Sequence, residues 1–295
     1  MRSFVRAIVV LCATFPPVAF AQSHLKPSVQ EAVTYRVVDE REMQLDVAVP
    51  AGEGRHPALV FLHGGGWVTG DRSRFRDEIE RAATRGYVAA TVSYHLARTG
   101  PGDPSVDGFP IPLHDVKAAI RFLRSNAKEF HLDPDRIGIV GESAGGHLAL
   151  LAGLTRSKDK LEGDVPADAP SSAVQAVVNV FGPSDLTALV QENPSTKPVM
   201  VMLLGGVPEL VPNEYRAASP VTYARRDAPP ILTIHGSADG LVPVSQAMRL
   251  NAAMKRAGGS HQLMVLNGAG HGFGRENAAR AERAIYEFFA KTLKP

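Results

Sequence analysis

The hexapeptide Gly141-Glu142-Ser143-Ala144-Gly145-Gly146 restricts the fold of this chain more than any other stretch. A G-x-S-x-G run says little alone, because glycine and serine are common residues. Here it follows the apolar run Arg136–Val140, expected as a strand, and precedes Ala144–Leu154, expected as a helix. A chain that passes from strand to helix so abruptly leaves no room for a Cβ at 141 or 145. It also holds the serine in strained geometry, with its hydroxyl presented at a helix N-terminus whose dipole favours negative charge. A helix packed beside a buried strand then requires further strands and helices to complete the layers.

The remaining pattern supplies them. Tyr35–Val38 and Met43–Val49 are β-rich and separated by Asp39-Glu40-Arg41-Glu42, which reads as a hairpin. Pro57–Leu62 is a short apolar run suited to a strand buried on both faces. Arg74–Arg85 is expected as a helix and Tyr87–Ser93 as a strand. Leu113–Lys128 places Leu113, Val116, Ile120, Leu123 and Ala127 on one helical stripe. Strands follow at Val174–Val180, Ile231–His235 and Gln262–Leu266, with helices at Val244–Arg256 and Asn277–Thr292. This alternation predicts a three-layer α/β fold: a mostly parallel central sheet, an antiparallel N-terminal strand, and helices on both faces. Two stretches break the rhythm. Arg156–Ser172 reads as a surface loop, and the proline-rich 184–226 as a small helical cap inserted between two strands.

A serine hydroxyl becomes a nucleophile only beside a base, and the base needs an orienting acid. Among the histidines, His24, His56 and His131 fall away from the C-terminal edge of the sheet. His63 lies in His63-Gly64-Gly65-Gly66-Trp67, where a structural bond to its own loop is expected, and His147 is expected to pack along its helix. His271 lies in the glycine-rich loop Asn267–Gly274, between the last strand and the last helix, and can reach across to Ser143. The acid has two candidates. Asp239 follows the strand Ile231–His235, and Asp185 follows Val174–Val180. Asp239 is preferred because it lies on the loop of the strand preceding His271's own, 32 positions before it, enough for one helix, one strand and their loops. The order Ser143, Asp239, His271 is the one expected. The unshielded amides of Gly65 and Gly66, with that of Ala144, are expected to face a developing oxyanion. Trp67 and Glu142 are candidates for the substrate pocket, with Trp67 equally suited to wedging the glycine loop against the core.

Composition removes other classes. With 44% hydrophobic and 21% charged residues the chain is neither disordered nor fibrous, and a net charge of +2 offers no field for nucleic acid. Arg2 and Arg6, the apolar run Ala7–Thr14 and Ala19-Phe20-Ala21 read as a signal peptide over residues 1–21, too short to span a bilayer. Residues 22–295 then form one domain, secreted or periplasmic. The single cysteine, Cys12, belongs to the leader, so neither a disulfide nor a thiolate site is expected beyond it. No His-Glu-x-x-His, P-loop or G-x-G-x-x-G is present, so neither metal nor cofactor is expected.

These motifs resemble those of α/β-hydrolase-fold carboxylesterases over nearly the whole chain. They are similar to the hormone-sensitive-lipase-like esterases and, through Leu113-His114-Asp115-Val116-Lys117, Ser143-Ala144-Gly145-Gly146-His147 and Gly270-His271-Gly272-Phe273, still more similar to the bifunctional feruloyl and acetylxylan esterase-like group. The resemblance implies Ser143 as nucleophile, Asp239 and His271 as its partners, and Gly65, Gly66 and Ala144 as oxyanion donors. It implies a serine ester hydrolase acting on short-chain, small-molecule or polysaccharide-linked acetyl and feruloyl esters. Glu142 departs from the glycine or aspartate frequent in relatives. An arylformamidase or small serine peptidase would use the same three residues, and an inactive binding module would keep only the scaffold.

Overall fold

The computed structural model describes residues 26–100 and 102–294. The leader expected over residues 1–21, with Cys12 and His24, lies outside them.

An eight-stranded sheet runs through the molecule in the order β1-β2-β4-β3-β7-β8-β9-β10. Its strands are β1 (Ser28–Val38), β2 (Arg41–Val49), β3 (His56–Leu62), β4 (Val88–Val92), β7 (Leu132–Glu142), β8 (Ala176–Val180), β9 (Ile231–Gly236) and β10 (His261–Leu266). The hairpin β1–β2 pairs antiparallel and β2 pairs antiparallel with β4, whereas every pairing from β4 through β3 to β10 is parallel. A second hairpin, β5 (Arg98–Gly100) with β6 (Asp103–Val106), lies apart from the sheet and has no counterpart in the strands expected from the sequence.

Side-chain alternation along each strand feeds two cores. Ala58, Val60 and Leu62 of β3 pack on one face with α2 (Ile111–Ser125), α3 (Ala144–Leu154) and α7 (Ser245–Ala257). Leu59 and Phe61 point the other way, against α1 (Arg76–Thr84) and α8 (Arg275–Leu293). Both faces are covered, so β3, β4 and β8 carry near-continuous apolar runs. Every residue of α3 is buried, which is why its sequence is apolar all round and not striped.

Segment 184–226 forms α4 (Leu186–Glu192), α5 (Lys197–Leu204) and α6 (Pro212–Ala217), between β8 and β9. The stretch Arg156–Ser172, expected as a surface loop, is fastened to α2 at Glu162. That carboxylate lies 2.5 Å from Nζ of the fully buried Lys117 and 2.9 Å from Arg121, both on α2. Burial pushes the lysine pKa down, and the adjoining carboxylate opposes the shift. Among the described residues, no helix is long and apolar enough to cross a membrane.

Candidate active site

Ser143 sits between the last residue of β7 and the first of α3, with φ +53° and ψ −118°, a backbone state that a residue carrying a Cβ occupies only under strain. The surrounding packing enforces it. A Cβ on Gly141 would collide with the Gly145 carbonyl, and one on Gly145 with the carbonyls of Leu62 and His63. The Ser143 amide is spent on the Val180 carbonyl of the next strand, at 2.9 Å. Its side chain is thereby fixed above the C-terminal edge of the sheet.

His271 reaches this hydroxyl from the loop between β10 and α8. Its Nε2 lies 3.1 Å from Ser143 Oγ, and its Nδ1–H donates to Asp239 Oδ2 at 2.8 Å. Because Nδ1 carries the proton toward the carboxylate, Nε2 is left as an acceptor for the serine. Phe181 packs on the imidazole with ring centroids 4.5 Å apart, and the buried Phe273 anchors the loop against Phe181.

Asp239 lies on the loop after β9. Its Oδ1 accepts from the amides of Leu241 and Val242, at 3.0 and 2.9 Å, leaving Oδ2 for histidine. Burial alone would raise its pKa, but hydrogen bonds from His235, His271 and Val242 outweigh that and hold it well below the usual carboxylate range. The competing acid, Asp185, is not here: it caps α4, accepting from the Ala188 amide. The loops bearing Asp239 and His271 are laced together by Ala238 N–H to the Ala269 carbonyl and by Gly268 N–H to Ser237 Oγ.

The glycine loop after β3 approaches from the opposite side. Gly65 has φ +117°, and a Cβ there would strike the Thr69 carbonyl, so no other residue fits. Among the described residues, neither the Gly65 nor the Gly66 amide donates to a backbone carbonyl, and Ala144 N–H opens α3. Val199 of α5 packs beside Gly66. His63 is buried: its Nδ1–H bonds the Gly64 carbonyl at 2.7 Å and its ring stacks on Tyr94, whose hydroxyl donates to the His63 carbonyl.

Trp67 takes the wedging position of the two the sequence allowed. It is 3% exposed, and its indole N–H donates to Nδ1 of His147 at 3.2 Å, which wedges the glycine loop against α3. His147 in turn donates from Nε2 to the Ala218 carbonyl at 2.7 Å, and complete burial pushes its pKa down to about 4. Glu142 lines a cavity on the α1 and α8 side, 3.7 Å from Arg74; burial raises its pKa and Arg74 opposes the rise.

Two supporting residues were not singled out from the sequence. His235, four positions before Asp239, is fully buried and brings Nε2 to 3.4 Å from Oδ2 of the carboxylate while bonding the Val242 carbonyl. Asn193, at the end of α4, donates to the carbonyls of Gly240 and Leu241 and ties segment 184–226 to the acid's loop. The His-Gly-Ser-x-Asp spacing was a usable signal for His235; nothing local marked Asn193. Among the described residues no group of three metal-ligating side chains converges.

The sheet order, the strained serine elbow and a histidine–aspartate pair drawn from the last two strand ends define an α/β-hydrolase-fold protein. The chain belongs to the BD-FAE family, whose sequence pattern matches residues 45–254. It is 34% identical over 280 residues to esterase LipC of Mycobacterium tuberculosis (strain ATCC 25618 / H37Rv), covering 90% of this chain and 65% of that protein. It is also 34% identical over 209 residues to esterase LipQ of the same strain, covering 69% and 47%. The chain thus spans about half to two thirds of the length of these curated relatives. Among solved structures it is similar to a truncated carbohydrate esterase from gut microbiota, with TM-score 0.78, 26% identity, and 92% and 99% of the two chains covered. It is similar as well to Thermogutta terrifontis esterase 2 phosphonylated by cyclosarin, with TM-score 0.73, 31% identity, and 90% and 96% covered.

Proposed function

We propose that this protein hydrolyses carboxylic esters through an acyl-enzyme on Ser143. The observation that carries the reading is the 3.1 Å approach of His271 Nε2 to the hydroxyl of a strained serine, with Asp239 behind the imidazole. His271 removes the serine proton as Oγ bonds to the ester carbonyl carbon. Asp239 holds the tautomer and stabilises the imidazolium that forms. The carbonyl oxygen, now negative, takes hydrogen bonds from Gly65, Gly66 and Ala144 N–H groups, each worth about 10²–10³ in rate. The C–O bond to the alcohol then breaks as His271 returns the proton to the leaving oxygen. Water, deprotonated by the same imidazole, releases the acid.

The substrate class this reading favours is short-chain and carbohydrate-linked acetyl or feruloyl esters. The carbohydrate esterase similarity supports it, as do the propionate-bound and butyrate-bound structures of the Thermogutta esterase. A leader over residues 1–21 would carry the activity out of the cytoplasm, where such polymers are met. The test is Ser143→Ala against p-nitrophenyl acetate, acetylated xylan and methyl ferulate, with a fluorophosphonate probe. Wild-type protein should label and turn over; the variant should do neither while its thermal unfolding is unchanged. Turnover of esters by the variant near the wild-type rate would end the proposal.

A further inference from the structure

Resting on the ester-hydrolase reading above, we infer that Val199 of α5 sets the acyl preference of the site. Acetyl is taken ahead of longer acyl groups, and the feruloyl group comes last.

The position of α5 is fixed at both ends. On its N-terminal side, Thr196 Oγ1 donates to the Asn193 carbonyl at 2.7 Å, and the Asn193 side chain donates to the carbonyls of Gly240 and Leu241 beside Asp239. Near its C-terminus, the Leu203 carbonyl accepts from the Phe109 amide at 2.8 Å, and a Cβ on Gly108 would strike the same carbonyl. Between these anchors the helix passes the glycine loop. Val199, its third residue, turns Cγ2 toward Gly66: a Cβ built on Gly66 would lie 3.5 Å from that methyl, in ordinary van der Waals contact. Met202 follows three positions on, on the same side of the helix. Both are half-buried and pack on the same core as Val68, the neighbour of Trp67, so the wall beside the glycine loop is apolar.

The reaction brings the acyl chain to this wall. In the tetrahedral intermediate the former carbonyl carbon carries Ser143 Oγ, the oxyanion, the leaving oxygen and the acyl chain. The oxyanion faces the amides of Gly65, Gly66 and Ala144. The leaving oxygen lies beside His271 Nε2, which protonates it as the C–O bond breaks. The acyl chain takes the remaining direction, away from the imidazole, and starts one bond from a carbon whose oxygen is held against Gly66. Val199 is the side chain packed on that glycine from the α5 side. A methyl group clears it; a feruloyl group, planar and ending in an aromatic ring, must pass it. The branched side chain of a helical valine has one strongly preferred rotamer, and the helix is tied at both ends, so the wall does not step back cheaply.

Two ester series separate the halves of the substrate. p-Nitrophenyl acetate, butyrate and hexanoate share an alcohol; ethyl, phenyl and 2-naphthyl acetate share an acyl group. Wild-type kcat/KM should favour acetate over hexanoate by about tenfold or more. Val199→Ala should raise the hexanoate-to-acetate ratio about tenfold, and Val199→Phe should lower the butyrate-to-acetate ratio about tenfold. Ratios along the acetate series should stay within about twofold in both variants. A general loss of packing would not move one ratio in opposite directions with the size of the side chain. Acyl ratios unmoved by either variant, changes confined to the acetate series, or methyl ferulate turned over by wild type as fast as methyl acetate would overturn the assignment. In each case continued hydrolysis of p-nitrophenyl acetate would leave the ester-hydrolase reading standing, whereas a wild-type protein inert toward every ester would end both.

Discussion

Two histidines approach the nucleophile's helix, one from inside and one from the rim, and their surroundings differ completely. His147 lies one turn along α3 from Ser143, is fully buried, and has both ring nitrogens engaged by Trp67 and Ala218. His271 is 24% exposed, has one nitrogen on a carboxylate and offers the other to the serine. The first can neither gain a proton cheaply nor offer a lone pair, so it fastens the glycine loop to the helix. The second can accept a proton because Asp239 faces the charge that results. Proton transfer needs a free lone pair and a compensating charge; nearness along the chain supplies neither.

The contrast can be broken most severely at the rim. His271→Ala should lower kcat by about 10⁶, as loss of a base does in a serine triad, with little change in thermal unfolding. A loss of less than tenfold would show that another group takes the proton. Asp239→Asn should cost less, about 10⁴ in kcat, because the imidazole remains but its tautomer is no longer imposed. Steady-state rates on p-nitrophenyl acetate measure both.

The interior should respond in stability and less in rate. His147→Ala leaves the Trp67 indole N–H and the Ala218 carbonyl unpaired, at a cost of about 1–3 kcal/mol for each group. Denaturant titration measures the loss, and kcat should fall far less than in the rim variants. The pH dependence has a definite sign. The native imidazole is neutral with a pKa near 4, while the unfolded one titrates at 6.5, so between these values the unfolded state binds more protons. Stability should therefore fall as pH drops from 6.5 toward 4, because the unfolded imidazole takes up a proton that the buried native one refuses. The Ala variant should lack that part of the slope; an unchanged slope would show that other groups carry the acid sensitivity.

The same contrast separates what could be read along the chain from what could not. The elbow around Ser143 was legible because its pattern is local: a Cβ on Gly141 would strike the Gly145 carbonyl four residues on, although Gly145 itself is required by the Leu62 and His63 carbonyls at the end of β3. The parallel strands and striped helices were legible for a similar reason, since burial on both faces or one is written as runs and periods. The small hairpin β5–β6 was not, because its strands are three and four residues long and half polar.

Asp239 and Asp185 both follow a strand end, and no spacing rule excludes either. The choice came from contacts made across the fold, where two loop amides, His235 and His271 surround one carboxylate while the other caps a helix. Trp67 and Glu142 were ambiguous in the same way. An aromatic ring beside a glycine loop suits a pocket or a wedge equally, until His147, 80 positions away, supplies a partner for its N–H. Sequence by itself therefore determined the layers, the strained serine and the loops that could serve it, because short-range sterics and hydrophobic periodicity specify them. Which acid pairs with His271, which histidine stays neutral and where a cavity opens were decided only by tertiary structure. Desolvation and hydrogen bonding depend on neighbours that the chain order does not name.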